Sequence, residues 1–282
     1  MESNLLIPVK ARILYQSAAC VVVNKLIGEA VEGAMEGMID LSKELSVAIN
    51  SEQLAMSSEQ LTMSKEQLAK SKEKLGNSNE KLAKSNEQLG NYKEKIRNMV
   101  EVVEAVNRLD VPVTGCALFA LTKDSLSFLN AAFAGDTSLP CPVEKTYWAV
   151  IEKPSRLLLE SGEFVHWIET VSGKNKSFAH KKDGPGRKKA ALRYRVTGEG
   201  RNYLFVEIHL LSGRHHQIRA QFAAEGLHIK GDLKYGAKRS EKNGGIRLHA
   251  RSLSFPDPLN RSEIIRVTAE PPVMDNLWKE FY

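Results

Sequence analysis

The apolar positions along the chain change period several times, and the changes divide it into segments. Ala11 to Lys25 opens as strand: Ile13, Leu14 and Tyr15, a polar break at Gln16-Ser17, then the β-branched run Val21-Val22-Val23 ending at Asn24-Lys25. From about Met38 the character shifts. Between Ser51 and Val100 a seven-residue repeat runs through Leu54, Leu61, Leu68, Leu75, Leu82, Leu89 and Ile96, each with a glutamate two residues before it. Strand-like patterning returns with Val100, Val102-Val103 and Val106 leading to Asp110, and again in Cys116 to Leu121. A helix is predicted over Lys123 to Phe133. Strands are predicted at Thr146 to Glu152, Phe164 to Glu169, Leu192 to Thr197 and Tyr203 to Leu211, with a Gly/Lys-rich link over Ser172 to Lys189. A short helix over His216 to Glu225 follows, then a loop to Arg247 and strands near Leu248 to Phe255 and Ser262 to Ala269. Many strands with few helices, mostly hairpin-connected, predict an α+β domain on a largely antiparallel sheet.

The heptad array is not a two-stranded coiled-coil seam. Such a seam needs apolar residues at both core positions of each heptad. Here the position three after each leucine is Ser57, Ser64, Ser71, Ser78, Ser85 or Tyr92. One leucine in seven cannot bury a stripe about 100° wide, and Gly76 and Gly90 each weaken a helix by roughly 1 kcal/mol relative to alanine. The reading is a solvated helical arm, residues 38–98, inserted into a domain formed by residues 1–37 and 99–282. A weak self-associating coil and an RNA contact are the alternatives, so the protein is expected to be a monomer unless the array associates.

With 282 residues and 42% hydrophobic content the chain can bury one substantial core plus an appendage. No run approaches the roughly 20 apolar residues of a membrane span, and Met1 to Lys10 lacks the basic start and apolar stretch of a leader, so a cytoplasmic protein is expected. Cys20, Cys116 and Cys141 are widely spaced, without CxxC pairing or a histidine cluster, and read as small buried apolar residues. Charge is uneven. The net charge is +6, but residues 174–251 hold 19 Lys plus Arg against 6 Asp plus Glu, a net of +13. That concentration suits a polyanion, because phosphate neutralisation supplies most sequence-independent affinity for nucleic acid.

Three constellations carry chemistry. Arg108-Leu109-Asp110 lies on a loop between two strands, closed by Thr114-Gly115; by itself it could equally be a surface ion pair. Gly213-Arg214-His215-His216-Gln217-Ile218-Arg219 opens a helix, whose first turn suits a phosphate or carboxylate; the histidines lack the partners of a metal site. Lys145-Thr146-Tyr147-Trp148 puts two aromatics at a strand start, where alternate residues face opposite sides, so one ring faces a core and the other a cleft.

In this order the pieces resemble the RluA-type pseudouridine synthases, a family that modifies ribosomal and transfer RNA. The resemblance runs through Ile13-Leu14-Tyr15, Val21 to Lys25, Arg108 to Asp110 with Thr114-Gly115, Lys145-Thr146-Tyr147, and Gly213-Arg214 with His216 to Arg219. It continues through Gly231-Asp232-Leu233-Lys234-Tyr235-Gly236, Leu248-His249-Ala250 and Leu253 to Pro256, leaving out only about residues 26–105. It implies the synthase catalytic fold, on a mainly antiparallel mixed sheet with a central cleft. It also implies isomerisation of uridine to pseudouridine, with Asp110 as the catalytic aspartate acting as nucleophile or as base on the ribose. Arg219 would pair with Asp110 and keep it ionised, Tyr147 would stack on the base, and Leu248 would wall the base pocket. The target base must leave its stack, and Arg108 resembles the residue that enters the vacated space. Arg214 with Lys181, Lys182, Arg187, Lys188 and Lys189 would hold the RNA backbone. No metal and no cofactor is implied, because the reaction is an isomerisation. A non-catalytic RNA-binding protein on the same fold is the competing reading; the joint presence of Asp110, Tyr147 and Arg219 speaks against it.

The sequence departs from the family pattern in three places. Asn107 stands where histidine is usual, Val111-Pro112-Val113 replaces a more polar stretch, and the heptad array takes the place of the segment between the first strand and the Asp110 loop; no separate small RNA-binding domain is expected ahead of Ala11. If the array is an appendage, deleting Ser51 to Asn98 leaves a cooperative thermal melt; loss of cooperativity on deletion would contradict that organisation.

Overall fold

The structure is a computed structural model and describes residues 7–51, 101–136, 139, 142–155 and 158–282. After a 3-10 turn at Val9–Arg12, strands β1 (Ile13–Gln16), β2 (Cys20–Lys25), β3 (Glu29–Ala30) and β4 (Ile39–Asp40) lead into helical residues 41–51. Beyond them come β5 (Glu104–Ala105), β6 (Thr114–Ala120), α1 (Lys123–Ala134), β7 (Glu144–Glu152), β8 (Ser161–Val171), β9 (Lys176–His180), β10 (Lys188–Glu199) and β11 (Tyr203–Leu210). The chain closes with α2 (Gln217–Ala224), β12 (Leu248–Pro256), β13 (Ile264–Thr268) and α3 (Asn276–Lys279).

One 11-stranded sheet runs in the order β1-β2-β6-β12-β7-β11-β10-β8-β9, with β13 on β12 and β5 on β6. Its pairs are antiparallel except β6 with β12. Strand β6, third in that order, has all seven residues buried, so its sequence shows no in-out alternation. Odd and even positions feed different cores. Ala117 and Phe119 join Leu41, Leu45, Ile49, Ile151, Ile208 and Phe222 on one face, whereas Leu118 and Ala120 join Phe128, Leu129, Phe255 and Val267 on the other. Gly115 is where β6 meets β12. A Cβ there would lie 2.2 Å from the Ala250 carbonyl oxygen, and its φ of +112° suits glycine alone. The need is therefore close strand approach, where the sequence pointed to a sharp turn closing the loop.

Helix α1 is set locally: Thr122 caps it in a reciprocal box with Ser125, and Gly135 ends it in the left-handed region. The Ser125 hydroxyl also donates to the Ala19 carbonyl, which ties the helix to the β1–β2 turn.

Most predicted elements are present, with differences that have local causes. The opening strand is a hairpin, because Ser17 accepts from the amides of Ala19 and Cys20 and reverses the chain. The Gly/Lys-rich link contains β9, an edge strand. The 3-10 turn and α3 carried no periodic signal. Helical residues 41–51 bury Leu41, Leu45, Ala48 and Ile49 in the main core, so the first part of the segment assigned to the inserted arm packs with the body. The rest of the heptad array, residues 52–98, lies outside the described residues, as does Cys141. Cys20 and Cys116 are buried, and burial pushes their thiols up to about 11 and about 12. Among the described residues no helix is long and apolar enough to cross a membrane.

His249 on β12 joins three segments. Its Nδ1 faces the Thr114 hydroxyl at 2.8 Å and its Nε2 the Ala269 carbonyl at 3.0 Å. Burial pushes this ring down to about 4, although the Ala269 carbonyl favours its protonated form. An unfolded histidine titrates near 6.5, so between pH 6.5 and 4 the unfolded chain gains a proton that the folded chain refuses. Stability is therefore lost as pH falls through that window, by about 3 kcal/mol for this group. Thermal melts across the window should fall for the native protein by about 5–10 °C more than for a His249→Gln variant.

Candidate active site

The loop carrying Asp110 is held from every side. Asn107 bonds strand β6 twice, its amide nitrogen donating to the Cys116 carbonyl at 3.1 Å and its amide oxygen accepting from the Leu118 amide at 2.7 Å. Leu109 is buried in the main core. The Val113 amide donates to the Asp110 carbonyl at 2.9 Å, closing a turn. Lys25, fully buried at the end of β2, donates to the carbonyls of Leu26, Val111 and Val113 at 3.0, 3.1 and 2.7 Å. Burial pushes its ammonium down to about 7, against the pull of Glu29 and Asp110. The amides of Gly28 and Ile246 donate to the carbonyls of Val111 and Pro112. The apolar run Val111-Pro112-Val113 is thus backbone scaffolding whose carbonyls are all occupied.

Helix α2 brings Arg219 to this loop. Its Nη1 donates to Asp110 Oδ2 at 2.8 Å, while Nε and Nη2 each reach an oxygen of Asp232 at 2.7 Å. The guanidinium is only 5% exposed and also lies 4.9 Å from the centre of the Tyr235 ring. Burial opposes its charge, but the hydrogen bonds and charge of Asp232, and then of Asp110, outweigh it and raise its pKa. Asp232 is itself buried, so the pair is closed to water.

Around Asp110 lie Arg108, Leu109, Val113, Tyr147, Leu210, Arg214, His216, Ile218 and Leu248, which line one pocket. Tyr147 is buried against it, and burial with the charge of Asp110 pushes its hydroxyl up, so it is a neutral ring. Its neighbour Trp148 faces the other way and stacks on Phe281 at 4.5 Å, as the alternation along β7 requires. Leu248, on the neighbouring strand β12, is buried and lines the same pocket. Asp110 Oδ1 has no protein partner among the described residues. The site therefore offers a fixed carboxylate with one unengaged oxygen, a flat ring and an apolar wall.

The structure brings Arg108, Asp110, Tyr147, Arg214, Arg219 and Leu248 into one pocket. Arg108 is exposed at its rim. Arg214 donates through Nε to the Lys189 carbonyl, so Lys189 sits beside the mouth. Lys181, Lys182 and Lys188 are exposed on the β9–β10 turn and the start of β10, outside the pocket lining. Arg187 differs from the other basic residues: it is half-buried against Glu169 and the Lys182 carbonyl, and it shapes that turn. Three further residues were not singled out from sequence. Asp232 lay inside a quoted motif, and a buried acid near an arginine is the signal that could have found it; Lys25 ended an otherwise apolar strand; His216 stood beside the arginine. No cluster of metal-ligating side chains exists among the described residues.

Removing Asp232 leaves two nitrogens of the buried Arg219 without their acceptors and Asp110 as its one remaining carboxylate. Asp232→Asn should cost about 3 kcal/mol in urea melts, and Arg219→Met with Asp232→Leu should recover much of that stability. Equal losses in the single and double variants would show that the ion pair is not the structural unit.

A profile of the family described as RNA pseudouridylate synthase matches residues 21–224. An uncharacterized RNA pseudouridine synthase of Mycobacterium bovis is 32% identical over 186 residues, covering 62% of this chain and 54% of that protein. Ribosomal large subunit pseudouridine synthase D of Zymomonas mobilis is 25% identical over 182 residues, covering 62% and 55%. Relative to the first of these relatives, the matched region spans about half their length. The tRNA pseudouridine synthase C of Haemophilus ducreyi is 27% identical over 196 residues, covering 63% of this chain and 74% of that protein. Among solved structures, human RNA pseudouridylate synthase domain containing 4 superposes with a TM-score of 0.61 at 18% identity, over 97% of this chain and 92% of that one, a likeness of fold.

Proposed function

Because the chain belongs to the RNA pseudouridylate synthase family, we propose that it isomerises selected uridines in ribosomal or transfer RNA to pseudouridine, with Asp110 as the catalytic residue. The observation that carries this reading is the anchoring of one carboxylate. Arg219 holds Asp110 Oδ2, and Oδ1 has no protein partner among the described residues, in a pocket that Tyr147 and Leu248 also line.

The chemistry requires the bond between ribose C1′ and base N1 to break, the uracil to turn, and a bond to form between C1′ and C5. The proton on C5 is lost and N1 gains one, so nothing is oxidised or reduced. A carboxylate oxygen beside C1′ assists as nucleophile or as base toward the ribose. The detached base must be kept in place while it turns. Tyr147 supplies a face for stacking and Leu248 an apolar wall, neither of which holds the base by directional bonds that a rotation would break.

A uridine stacked in RNA cannot reach the pocket floor and enters flipped out. Arg108, exposed at the rim, fills the space that it leaves. Arg214 at the mouth, with Lys189 beside it and Lys181, Lys182 and Lys188 beyond, holds the phosphates, and Arg187 supports the turn that presents them. The substrate class matches the names of the relatives, which act on the large ribosomal subunit and on tRNA.

Pseudouridine mapping by carbodiimide-block primer extension tests the reading on RNA from cells with the gene, without it, or carrying Asp110→Asn. A site made by the native protein and absent in the other two is expected. If no site disappears, the chain binds RNA without modifying it.

A further inference from the structure

Arg219 is not the only group turned toward Asp110. His216, which caps α2 with φ +51°, places Nε2 3.5 Å from the same oxygen, Oδ2, that Arg219 holds. Its Nδ1 lies 2.9 Å from the Tyr235 hydroxyl, and that hydroxyl accepts from the Ser177 amide at 2.9 Å and lies 3.1 Å from the Ser177 carbonyl. The ring is buried and stacks on His215 at 3.8 Å, whose Nδ1 meets the Ser177 hydroxyl at 2.8 Å. Three sequence segments, β9, the cap of α2 and the 3-10 turn Leu233–Tyr235, thus converge at one imidazole.

We propose that His216 is a positioning residue for Asp110: a neutral imidazole whose Nε2–H is aimed at Oδ2, in a tautomer fixed by Tyr235 and, through it, by the backbone of Ser177. The inference rests on the uridine-isomerase reading of this pocket.

The argument is one of hydrogen count. A tyrosine hydroxyl has one hydrogen and a neutral imidazole one N–H. If the Tyr235 hydrogen goes to the Ser177 carbonyl, His216 must carry its proton on Nδ1, and the bare Nε2 lone pair then faces a carboxylate. If the hydrogen goes to Nδ1, Nε2–H points at Asp110 and the Ser177 carbonyl gives up its donor. The second arrangement wins because a lone pair turned on a carboxylate is repelled by a full charge, whereas the neutral carbonyl loses one ordinary hydrogen bond.

The ring stays neutral. Burial pushes it down to about 4 against the pull of Asp110, with Arg219, His215 and Lys234 also disfavouring charge. Both donors therefore sit on Oδ2, one charged and one neutral, and Oδ1 keeps its lone pairs for the nucleoside. A second cation at His216 would bind the carboxylate more tightly and make it a poorer nucleophile or base. At 3.5 Å the pair is within reach of a hydrogen bond that tightens when substrate binds.

Full-length protein carrying 15N at its seven histidines tests the tautomer directly by multiple-bond 1H–15N correlation, with His216 assigned by the signals missing from His216→Gln. A neutral ring protonated at Nε2 is expected from pH 7 down to about pH 5, with that pattern lost in Tyr235→Phe. An Nδ1–H ring or an imidazolium at pH 7 overturns the proposal, whatever reaction the chain performs. On the RNA that the mapping identifies, His216→Phe should lower the single-turnover rate roughly tenfold, as for a lost hydrogen bond to a charged group, with KM for RNA nearly unchanged. His216→Gln, which keeps an N–H donor, should recover most of that rate. Equal loss in Phe and Gln variants, in step with their melting temperatures, assigns His216 a structural role and also overturns the proposal. A gene deletion that loses no pseudouridine defeats the isomerase reading, and an Asp110→Asn protein that still makes pseudouridine defeats the catalytic role of Asp110; either leaves the tautomer result standing.

Discussion

A guanidinium shut away from water must have its charge answered inside the protein, and Arg219 is answered by two carboxylates of unequal fate. Asp232 takes two of its nitrogens and is itself buried, which fixes the plane of the fork. The third nitrogen can then meet Asp110 in only one direction. The pocket inherits its geometry from that plane: the carboxylate is fixed through one oxygen, in a pocket that Tyr147 and Leu248 also line. An isolated surface pair of the same residues would contribute little. Here the desolvated arginine fixes the carboxylate, and a fixed carboxylate is what the proposed isomerisation would require.

The same constraint explains the loop. A carboxylate presented by a mobile segment would drag Arg219 out of plane, and the sequence counters this with buried polar groups spent on backbone. Lys25 occupies three carbonyls, and Asn107 pairs with β6 through both ends of its amide. Asn107 thus has a structural task at the position where the family pattern has histidine.

Much of this was legible before any coordinates. The strands with strong β-branched runs, helix α1 and helix α2 follow from period and punctuation, and Asp110, Tyr147, Arg219 and Leu248 follow from ordered resemblance. Other features were hidden because their causes are tertiary. Strand β9 reads as polar link because an edge strand buries little and tolerates lysine. Residues 41–51 merge with the heptad array in sequence, and the burial of Leu41, Leu45 and Ile49 in one core with Phe119 and Ile151 is a tertiary fact that no local pattern marks. His216 carries no signal of its own, since one histidine beside another looks alike whether it caps a helix, binds a metal or faces a carboxylate. Arg187 shows the converse: it counts as basic patch by composition, and Glu169 has already claimed it.

The pairing of β6 with β12 gives the molecule a history as well as a shape. It is parallel, and the contact of Thr114 with His249 joins residues 135 positions apart. Local hairpins such as β10–β11 can close as soon as they are made, but this pairing waits for a strand made far later than its partner. Asp232 and Leu248 also lie far downstream of the Asp110 loop, so a nascent chain carries that loop for a long stretch of synthesis without the residue that fixes the Arg219 plane. The pocket is therefore completed by its latest-made parts: until β12 pairs with β6, the Asp110 loop stands without the Leu248 wall.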